Sequence, residues 1–278
     1  MMNHITDQVT LLNGVKMPWI GAGVFKVDEA VTARVVSDAL QTGYRLIDTA
    51  EAYQNEKGVG DGIRQSGIDR KDIFLTTKLW NHSKNEADIF RKFEESLSLL
   101  QTDYVDLYLI HWPKPMYDQY VETWKAFEKI YKSGRAKAIG VSNFNIPHLE
   151  RLSQTCEIVP MVNQIEYHPY LVQDELKAYL DARGILLEAW SPLAKGKILT
   201  EPVILSLAER YGKTPVQIVL RWDMQKGIVT IPKTLKRERM AENTNLFDFS
   251  LSEADVAQLD GLDCRLRTGP DPDVFDKT

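Results

Sequence analysis

The chain has 278 residues, of which 44% are hydrophobic and 26% are charged, and its formal net charge at pH 7 is -5. This composition is typical of a globular protein that is long enough to bury a large core. The acidic balance argues against nucleic acid or an anionic membrane as the main partner. The two cysteines, Cys156 and Cys264, form no disulfide framework. The N-terminus is polar, and no apolar run approaches the length of a membrane span, so we expect a cytoplasmic protein without a signal peptide.

Eight short apolar runs recur along the chain, and most are continuous aliphatic stretches of the kind found in parallel sheets covered on both faces. They cover residues 21–25, 45–49, 73–79, 105–110, 138–142, 161–167, 185–191 and 227–232. Amphipathic stretches of helical length lie at 28–43, 85–100, 120–134, 172–184, 201–212 and 214–227. This alternation predicts a (β/α)8 TIM barrel that occupies residues 1–278 as a single domain. An open doubly wound sheet is the alternative, but no G-x-G-x-x-G sequence follows the first run.

The N-terminal segment predicts a hairpin that precedes the barrel. Asn13 and Gly14 lie between two apolar pieces, VTLL and VKMP, and this dipeptide is typical of two-residue hairpin loops. We expect the hairpin to close the bottom of the barrel.

Polar residues stand where the apolar runs end, which in a TIM barrel is the active-site face. Asp48 ends the second run and Tyr53 follows it, Lys78 lies at the end of the third, and His111 follows the fourth. We expect the lysine ammonium to lower the tyrosine pKa, the aspartate to pair with the lysine, and the histidine to polarise a carbonyl oxygen. These four residues together predict a general acid beside a carbonyl group.

Each of these residues alone has an ordinary structural explanation. An aspartate at a strand end is usually a cap, a tyrosine is usually packing, and a buried histidine is usually a hydrogen-bonded core residue. Their occurrence at consecutive strand ends favours catalysis. The five histidines show no H-x-H or H-E-x-x-H spacing, so we expect no metal site.

A set of motifs along nearly the whole chain resembles the aldo-keto reductases. The motifs are LIDTAEAYQNE (46–56), TTKLW (76–80), LYLIHWP (107–113), GVSNF (140–144), MVNQIEYHP (161–169), EAWSPL (188–193) and IPKTLKRERMAEN (231–243). The closing GPDPDVF (269–275) is similar to the bacterial branch that includes glyoxal, methylglyoxal and 2,5-diketo-D-gluconate reductases. Glu51 is a departure, because relatives often carry a small or apolar residue there.

The resemblance implies NADPH-dependent reduction of small aldehydes and ketones, with Tyr53 as general acid, Lys78 and Asp48 tuning it, and His111 positioning the substrate. It also implies a set of cofactor-binding residues: Ser142, Asn143 and Gln164 at the nicotinamide carboxamide, Trp190 stacked on the nicotinamide ring, Ser191, Leu193 and Lys195 over the pyrophosphate, Lys233, Thr234 and Arg239 at the 2′-phosphate, and Glu242 and Asn243 at the adenine. Phe25, Trp80 and Trp112 match walls of the substrate pocket, and a monomer is expected.

The sequence leaves two other functions open. A cofactor-sensing regulator could keep the basic cluster at 233–239 without needing the acid. A barrel isomerase or lyase acting on a sugar phosphate could use the same cluster to hold a phosphate. The four polar residues favour the reductase over the regulator, and the aldo-keto reductase motifs around Ser142, Gln164 and Trp190 favour it over the isomerase.

Overall fold

The computed structural model describes residues 4–80 and 85–276. Its ten strands are β1 (Gln8–Thr10), β2 (Lys16–Pro18), β3 (Ala22–Gly23), β4 (Leu46–Asp48), β5 (Phe74–Leu79), β6 (Val105–Ile110), β7 (Ala136–Ser142), β8 (Val162–Glu166), β9 (Leu186–Trp190) and β10 (Val229–Thr230). Strands β3 to β10 pair in chain order, and every pair is parallel. A parallel bridge between Ile20 and Thr230 joins the two edges. The predicted TIM barrel is therefore confirmed.

Ten helices accompany these strands in the described ranges. They are α1 (Glu29–Gln41), α2 (Glu56–Ser66), α3 (Glu86–Leu100), α4 (Tyr120–Lys132), α5 (Ile146–Ser153), α6 (Asp174–Asp181), α7 (Pro202–Tyr211), α8 (Pro215–Gln225), α9 (Arg237–Thr244) and α10 (Glu253–Asp260). Helix starts carry the expected caps: the Asp28 side chain accepts from the Ala30 N–H, and Thr214 forms a capping box with Gln217. Within the described part of the chain, no helix is long and apolar enough to cross a membrane.

Helix α2 is one of four helices that the sequence pattern does not predict; the others are α5, α9 and α10. It contains three glycines, which lower helix propensity. A Cβ on Gly60 would lie 2.6 Å from the Leu100 carbonyl oxygen, and one on Gly62 would lie 2.5 Å from that of Ala33. The glycines therefore allow α2 to pack closely against α1 and α3, and tertiary packing overrides the unfavourable local propensity.

The N-terminal hairpin lies at the bottom of the barrel, as predicted, but its loop differs from the prediction. The Leu11 N–H bonds to the Val15 oxygen at 2.8 Å, and the Gly14 N–H bonds to the Leu11 oxygen at 2.8 Å. Gly14 has a φ of +89°, so the connection is a three-residue loop with glycine in the left-handed position rather than a two-residue turn.

Two apolar clusters hold the barrel together. One lies between the strands and the surrounding helices, and the other lies inside the barrel, where Leu46, Leu107 and Val162 pack with Leu11 and Met17 of the hairpin segment. Because the hairpin side of the interior is filled by apolar side chains, the polar side chains of the barrel interior lie towards the opposite, C-terminal ends of the strands.

Candidate active site

Asp48 and Lys78 form a buried ion pair inside the barrel. The Lys78 Nζ lies 2.7 Å from Asp48 Oδ1 and 2.8 Å from Oδ2, and it also donates to the Thr49 carbonyl oxygen at 2.9 Å. The Lys78 side chain is completely buried. Burial disfavours its charge, but Asp48 and Tyr53 outweigh burial, so the pKa of Lys78 lies above its usual value. The lysine is therefore a cation at neutral pH.

Tyr53 lies in a 3-10 turn (Glu51–Tyr53) that directly follows β4. Its hydroxyl lies 3.3 Å from the Lys78 Nζ. Burial raises the pKa of Tyr53 to about 12, although Lys78 acts to lower it. The predicted lowering of the Tyr53 pKa is therefore wrong. The loss of water around the phenol raises this pKa by more than the Lys78 cation lowers it. The phenol is a protonated group held against a cation, as a proton donor requires.

His111 follows β6 and contacts Tyr53 edge to face, with 5.6 Å between ring centroids. Burial and then the Lys78 cation hold the pKa of His111 well below its usual value. The ring is therefore neutral at pH 7 and carries one N–H. Its Nδ1 is buried and has no hydrogen-bond partner among the described residues.

Aromatic side chains surround Tyr53 and His111. Phe25 lies 4.9 Å from the Tyr53 ring, and Trp80 meets His111 edge to face at 5.1 Å. Phe275, which is not among the predicted pocket residues, also lies here: its ring centroid is 4.2 Å from that of Trp112 and 6.2 Å from that of Trp80. The motif GPDPDVF contains this phenylalanine, but only the fold shows that the C-terminal segment returns to the site.

The residues expected at the nicotinamide converge beside the tetrad formed by Asp48, Tyr53, Lys78 and His111. Asn143 has a φ of +64°, and its side chain donates to the His111 carbonyl oxygen at 2.9 Å. The Trp190 Nε1 donates to Asn143 Oδ1 at 2.8 Å, and the Ser142 hydroxyl donates to the Gln164 carbonyl oxygen at 2.9 Å. These bonds connect four adjacent strands, β6 to β9, at the face that carries the tetrad.

The loop that follows Trp190 has an unusual backbone. Ser191, Ala194 and Lys195 have φ values of +52°, +45° and +55°. Consecutive non-glycine residues in this region are uncommon and cluster at ligand-binding segments. Leu193 directly precedes the pair Ala194 and Lys195, and the Lys195 ammonium bonds to the Thr268 carbonyl oxygen. The loop is thereby joined to the C-terminal segment over the rim.

The basic cluster lies after β10, at the N-terminal end of α9. Among residues 4–80 and 85–276, no carboxylate lies within 4.0 Å of Lys233 or Arg239, whereas Arg237 pairs with Asp38 at 2.9 Å. Lys233 and Arg239 are exposed cations beside a helix N-terminus, which is a good environment for a phosphate. Thr234 accepts from the Lys236 N–H at 3.2 Å.

The two residues expected at the adenine lie on α9 in different environments. Glu242 is half-buried, while Asn243 is buried. Burial raises the pKa of the Tyr44 hydroxyl, and the neighbouring Asn243 side chain acts to lower it.

Two acidic residues near the tetrad, Glu51 and Glu188, have contacts that the sequence does not predict. The Glu51 carboxylate faces α3 rather than the cavity: its Oε2 accepts from the Trp80 N–H at 2.8 Å, and its Oε1 lies 3.1 Å from the Lys92 Nζ. Glu188 lies inside the barrel and accepts from the Gln164 amide. In the described part of the chain, no group of three or more His, Cys, Asp or Glu residues is placed to hold a metal.

Comparison with known proteins assigns the family. The model of the aldo/keto reductase family matches residues 19–263. The chain belongs to this family. A glyoxal reductase of Bacillus subtilis (strain 168) is 50% identical to this aldo-keto reductase over 274 residues, which cover 98% of this chain and 99% of that one. A methylglyoxal reductase of Yersinia pestis is 45% identical over 269 residues, 96% of each chain.

Solved structures lead to the same family. A crystal structure of a Gox0644 mutant in complex with NADPH has a TM-score of 0.93 at 44% identity, and the match covers 97% of this chain and 98% of that one. This aldo-keto reductase is therefore an oxidoreductase, and the resemblance drawn from its motifs is confirmed.

Proposed function

We propose that the protein reduces small aldehydes and ketones, glyoxal and methylglyoxal among them, with NADPH as the hydride donor and Tyr53 as the general acid. The observation that carries this proposal is the Tyr53 hydroxyl, which lies 3.3 Å from a fully buried lysine that is itself paired with Asp48. A protonated phenol beside a fixed cation can give up its proton because the resulting phenolate is stabilised at once.

The cofactor fits the residues that are present. Lys233 and Arg239 have no carboxylate partner in the described ranges, so they remain able to bind the dianionic 2′-phosphate that distinguishes NADPH from NADH. Ser142, Asn143, Gln164 and Trp190 would hold the nicotinamide, Ser191, Leu193 and Lys195 the pyrophosphate, Thr234 the 2′-phosphate, and Glu242 and Asn243 the adenine. Bound NADPH supplies the hydride that reaches the carbonyl carbon. The structure in complex with NADPH at 44% identity supports the choice of cofactor.

The residues of this chain perform the remaining steps. The neutral His111 ring donates a hydrogen bond to the substrate oxygen and orients it towards Tyr53. Tyr53 donates its proton to that oxygen as the alcohol forms. Lys78 then faces the tyrosine phenolate, and Asp48 keeps the lysine charged and in place.

The pocket walls support small or aromatic carbonyl compounds as substrates. Trp80, Trp112, Phe25 and Phe275 offer flat apolar surfaces around the tetrad. Such walls discriminate weakly between substrates that differ by one methylene, by about 1–3 kcal/mol. We therefore propose broad tolerance, with glyoxal and methylglyoxal supported by the relatives named above.

We further infer that the whole chain, 1–278, is one barrel domain that works as a cytoplasmic monomer without a nucleic-acid partner. Cys156 and Cys264 are free thiols, which supports a reducing compartment.

The test of this proposal is a substrate panel. NADPH consumption is followed by absorbance with glyoxal, methylglyoxal and benzaldehyde, and the same assays are repeated with NADH. We expect turnover of the small dicarbonyls with a clear preference for NADPH. Binding of NADPH, measured by quenching of tryptophan fluorescence, without turnover of any carbonyl would contradict the proposal and favour a cofactor-sensing role.

A further inference from the structure

Glu188 is a buried carboxyl group to which the proposed reaction assigns no role. It lies in the middle of β9, opposite Gln164 of β8 and Val229 of β10, and is 0% exposed. Its Oε2 accepts a hydrogen bond from the Gln164 Nε2 at 2.8 Å. Its Oε1 is buried without a partner among the described residues. A fully buried carboxyl with a single donor needs an explanation.

The donor that Glu188 uses is shared with the tetrad. The same Gln164 Nε2 donates to Asp48 Oδ2 at 2.8 Å. An amide nitrogen has two hydrogens, so the two carboxyl groups use both. The Gln164 Oε1 therefore remains as the acceptor for a bound ligand. A continuous chain of contacts leads from Glu188 through Gln164 and Asp48 to Lys78, and from Lys78 to the Tyr53 hydroxyl.

The charge of Glu188 follows from the same contacts. Lys78 has three hydrogens, and these are used by Asp48, the Thr49 oxygen and Tyr53. An ionised Glu188 would be a buried anion without an ion-pair partner, next to a second anion, and such groups become neutral. Burial and then Asp48 accordingly raise the pKa of Glu188 to about 8.

We propose that Glu188 is a positioning residue that acts in its protonated form. It holds the Gln164 amide against Asp48, so that the Asp48 carboxylate is the one anion that faces the Lys78 ammonium beneath the Tyr53 hydroxyl. This inference rests on the proposed function, since it assigns Glu188 to the acid-donating group of that reaction. The charged groups that act on Glu188 are Asp48 on β4 and Lys78 on β5. The facing partners on β8 and β10, Gln164 and Val229, are uncharged.

The proposal predicts a specific pH dependence for the reduction. Above the pKa of Glu188 a second anion appears beneath the tetrad, and its charge raises the pKa of Tyr53 further. Tyr53 of the wild type therefore keeps its hydroxyl proton to higher pH than Tyr53 of a variant in which residue 188 is always neutral.

The test compares Glu188→Gln, a neutral side chain of the same shape, with Glu188→Leu, which cannot bind Gln164. At pH 7 we expect Glu188→Gln to reduce methylglyoxal at close to the wild-type kcat, whereas Glu188→Leu loses roughly tenfold, as expected when one buried hydrogen bond is lost. The alkaline fall in kcat should begin about one pH unit earlier in Glu188→Gln than in the wild type. A deuterium isotope effect with labelled NADPH establishes that hydride transfer limits the rate being compared.

A second readout needs no turnover and separates this proposal from the proposed function. The pKa of Glu188 rises on folding from its usual 4.5 to about 8, so the folded state binds more protons between these values. The stability contributed by the neutral acid is complete below pH 4.5 and is lost as the pH rises towards 8. The unfolding free energy of Glu188→Gln should therefore rise relative to the wild type across this window and level off above it.

Three results would overturn the proposal. The first is a stability difference between wild type and Glu188→Gln that does not change with pH. The second is a pair of superimposable pH profiles of kcat, and the third is a Glu188→Gln protein as impaired at pH 7 as Glu188→Leu. If the wild type reduces no carbonyl compound, the proposed function fails, while the stability comparison still decides whether Glu188 is a neutral acid.

Discussion

The Glu51 carboxylate accepts a hydrogen bond from the Trp80 backbone N–H at 2.8 Å. Glu51 lies in the turn that carries Tyr53, and Trp80 follows the strand that carries Lys78, so this bond ties the Tyr53 turn to the end of the Lys78 strand. Lys92 of α3 holds the same carboxylate at 3.1 Å. Glu51 therefore links the segments that position Tyr53 and Lys78, and its carboxylate is directed towards Trp80 and α3.

Glu51→Ala should impair the reaction without impairing cofactor binding. It leaves the Trp80 N–H without its acceptor, a loss of about 1–3 kcal/mol, and we expect roughly a tenfold fall in kcat/KM for methylglyoxal. Glu51→Gln keeps an acceptor and should lose less. Lys92→Met is the matched control, because it breaks the ion pair and leaves the Trp80 bond intact. An unchanged kcat/KM in Glu51→Ala would show that Trp80 and Tyr53 do not depend on this contact.

The Asp48–Lys78 pair should be strongly coupled in stability. Lys78→Met leaves Asp48 as a buried carboxylate without its cation, and breaking such a pair typically lowers the unfolding free energy by about 3–5 kcal/mol. Asp48→Asn leaves the lysine unpaired with a similar penalty. The double variant removes both charges, so its loss should be well below the sum of the single losses. Urea unfolding of all four proteins measures this, and additive losses would mean that the two charges do not stabilise each other.

Lys233→Ala should weaken NADPH binding and leave NADH binding unchanged. A hydrogen bond to a charged group contributes about 1.5–3 kcal/mol, so we expect the Kd for NADPH to rise by roughly 10- to 100-fold. Arg239→Ala should behave in the same way. Lys16→Ala, which removes one positive charge on the hairpin at the opposite end of the barrel, controls for the change in net charge. If Lys233→Ala weakened the binding of NADPH and of NADH equally, Lys233 would not be a contact of the 2′-phosphate.

Much of the site could be predicted because its residues stand at strand ends. Asp48, Lys78 and His111 each close an apolar run, and a parallel barrel brings such positions to one face. Glu188 could not be found in this way, since it lies inside an apolar run and its partner Gln164 belongs to another strand. The contact between Glu51 and Lys92 could not be predicted either, because Lys92 is 41 positions away along the chain and lies on helix α3.

Other features depend on packing that local sequence does not contain. The raised pKa of Tyr53 comes from burial, which only the assembled barrel produces. Helix α2 contains glycines, which lower helix propensity, so the sequence pattern argues against a helix there. In the folded chain these glycines leave room for the carbonyl oxygens of Leu100 and Ala33, which lie too close for a side chain. Phe275 joins the pocket because the C-terminal segment returns over the rim.

The most direct test of the central claim is single-turnover reduction of methylglyoxal by Tyr53→Phe beside the wild type, with NADPH affinity measured on both proteins. Loss of a general acid lowers the rate by about 10²–10⁴-fold. We predict that loss in kcat together with an unchanged Kd for NADPH, because the phenylalanine keeps the ring and removes only the hydroxyl. A Tyr53→Phe protein that reduces methylglyoxal at the wild-type rate would contradict the assignment of Tyr53 as the acid.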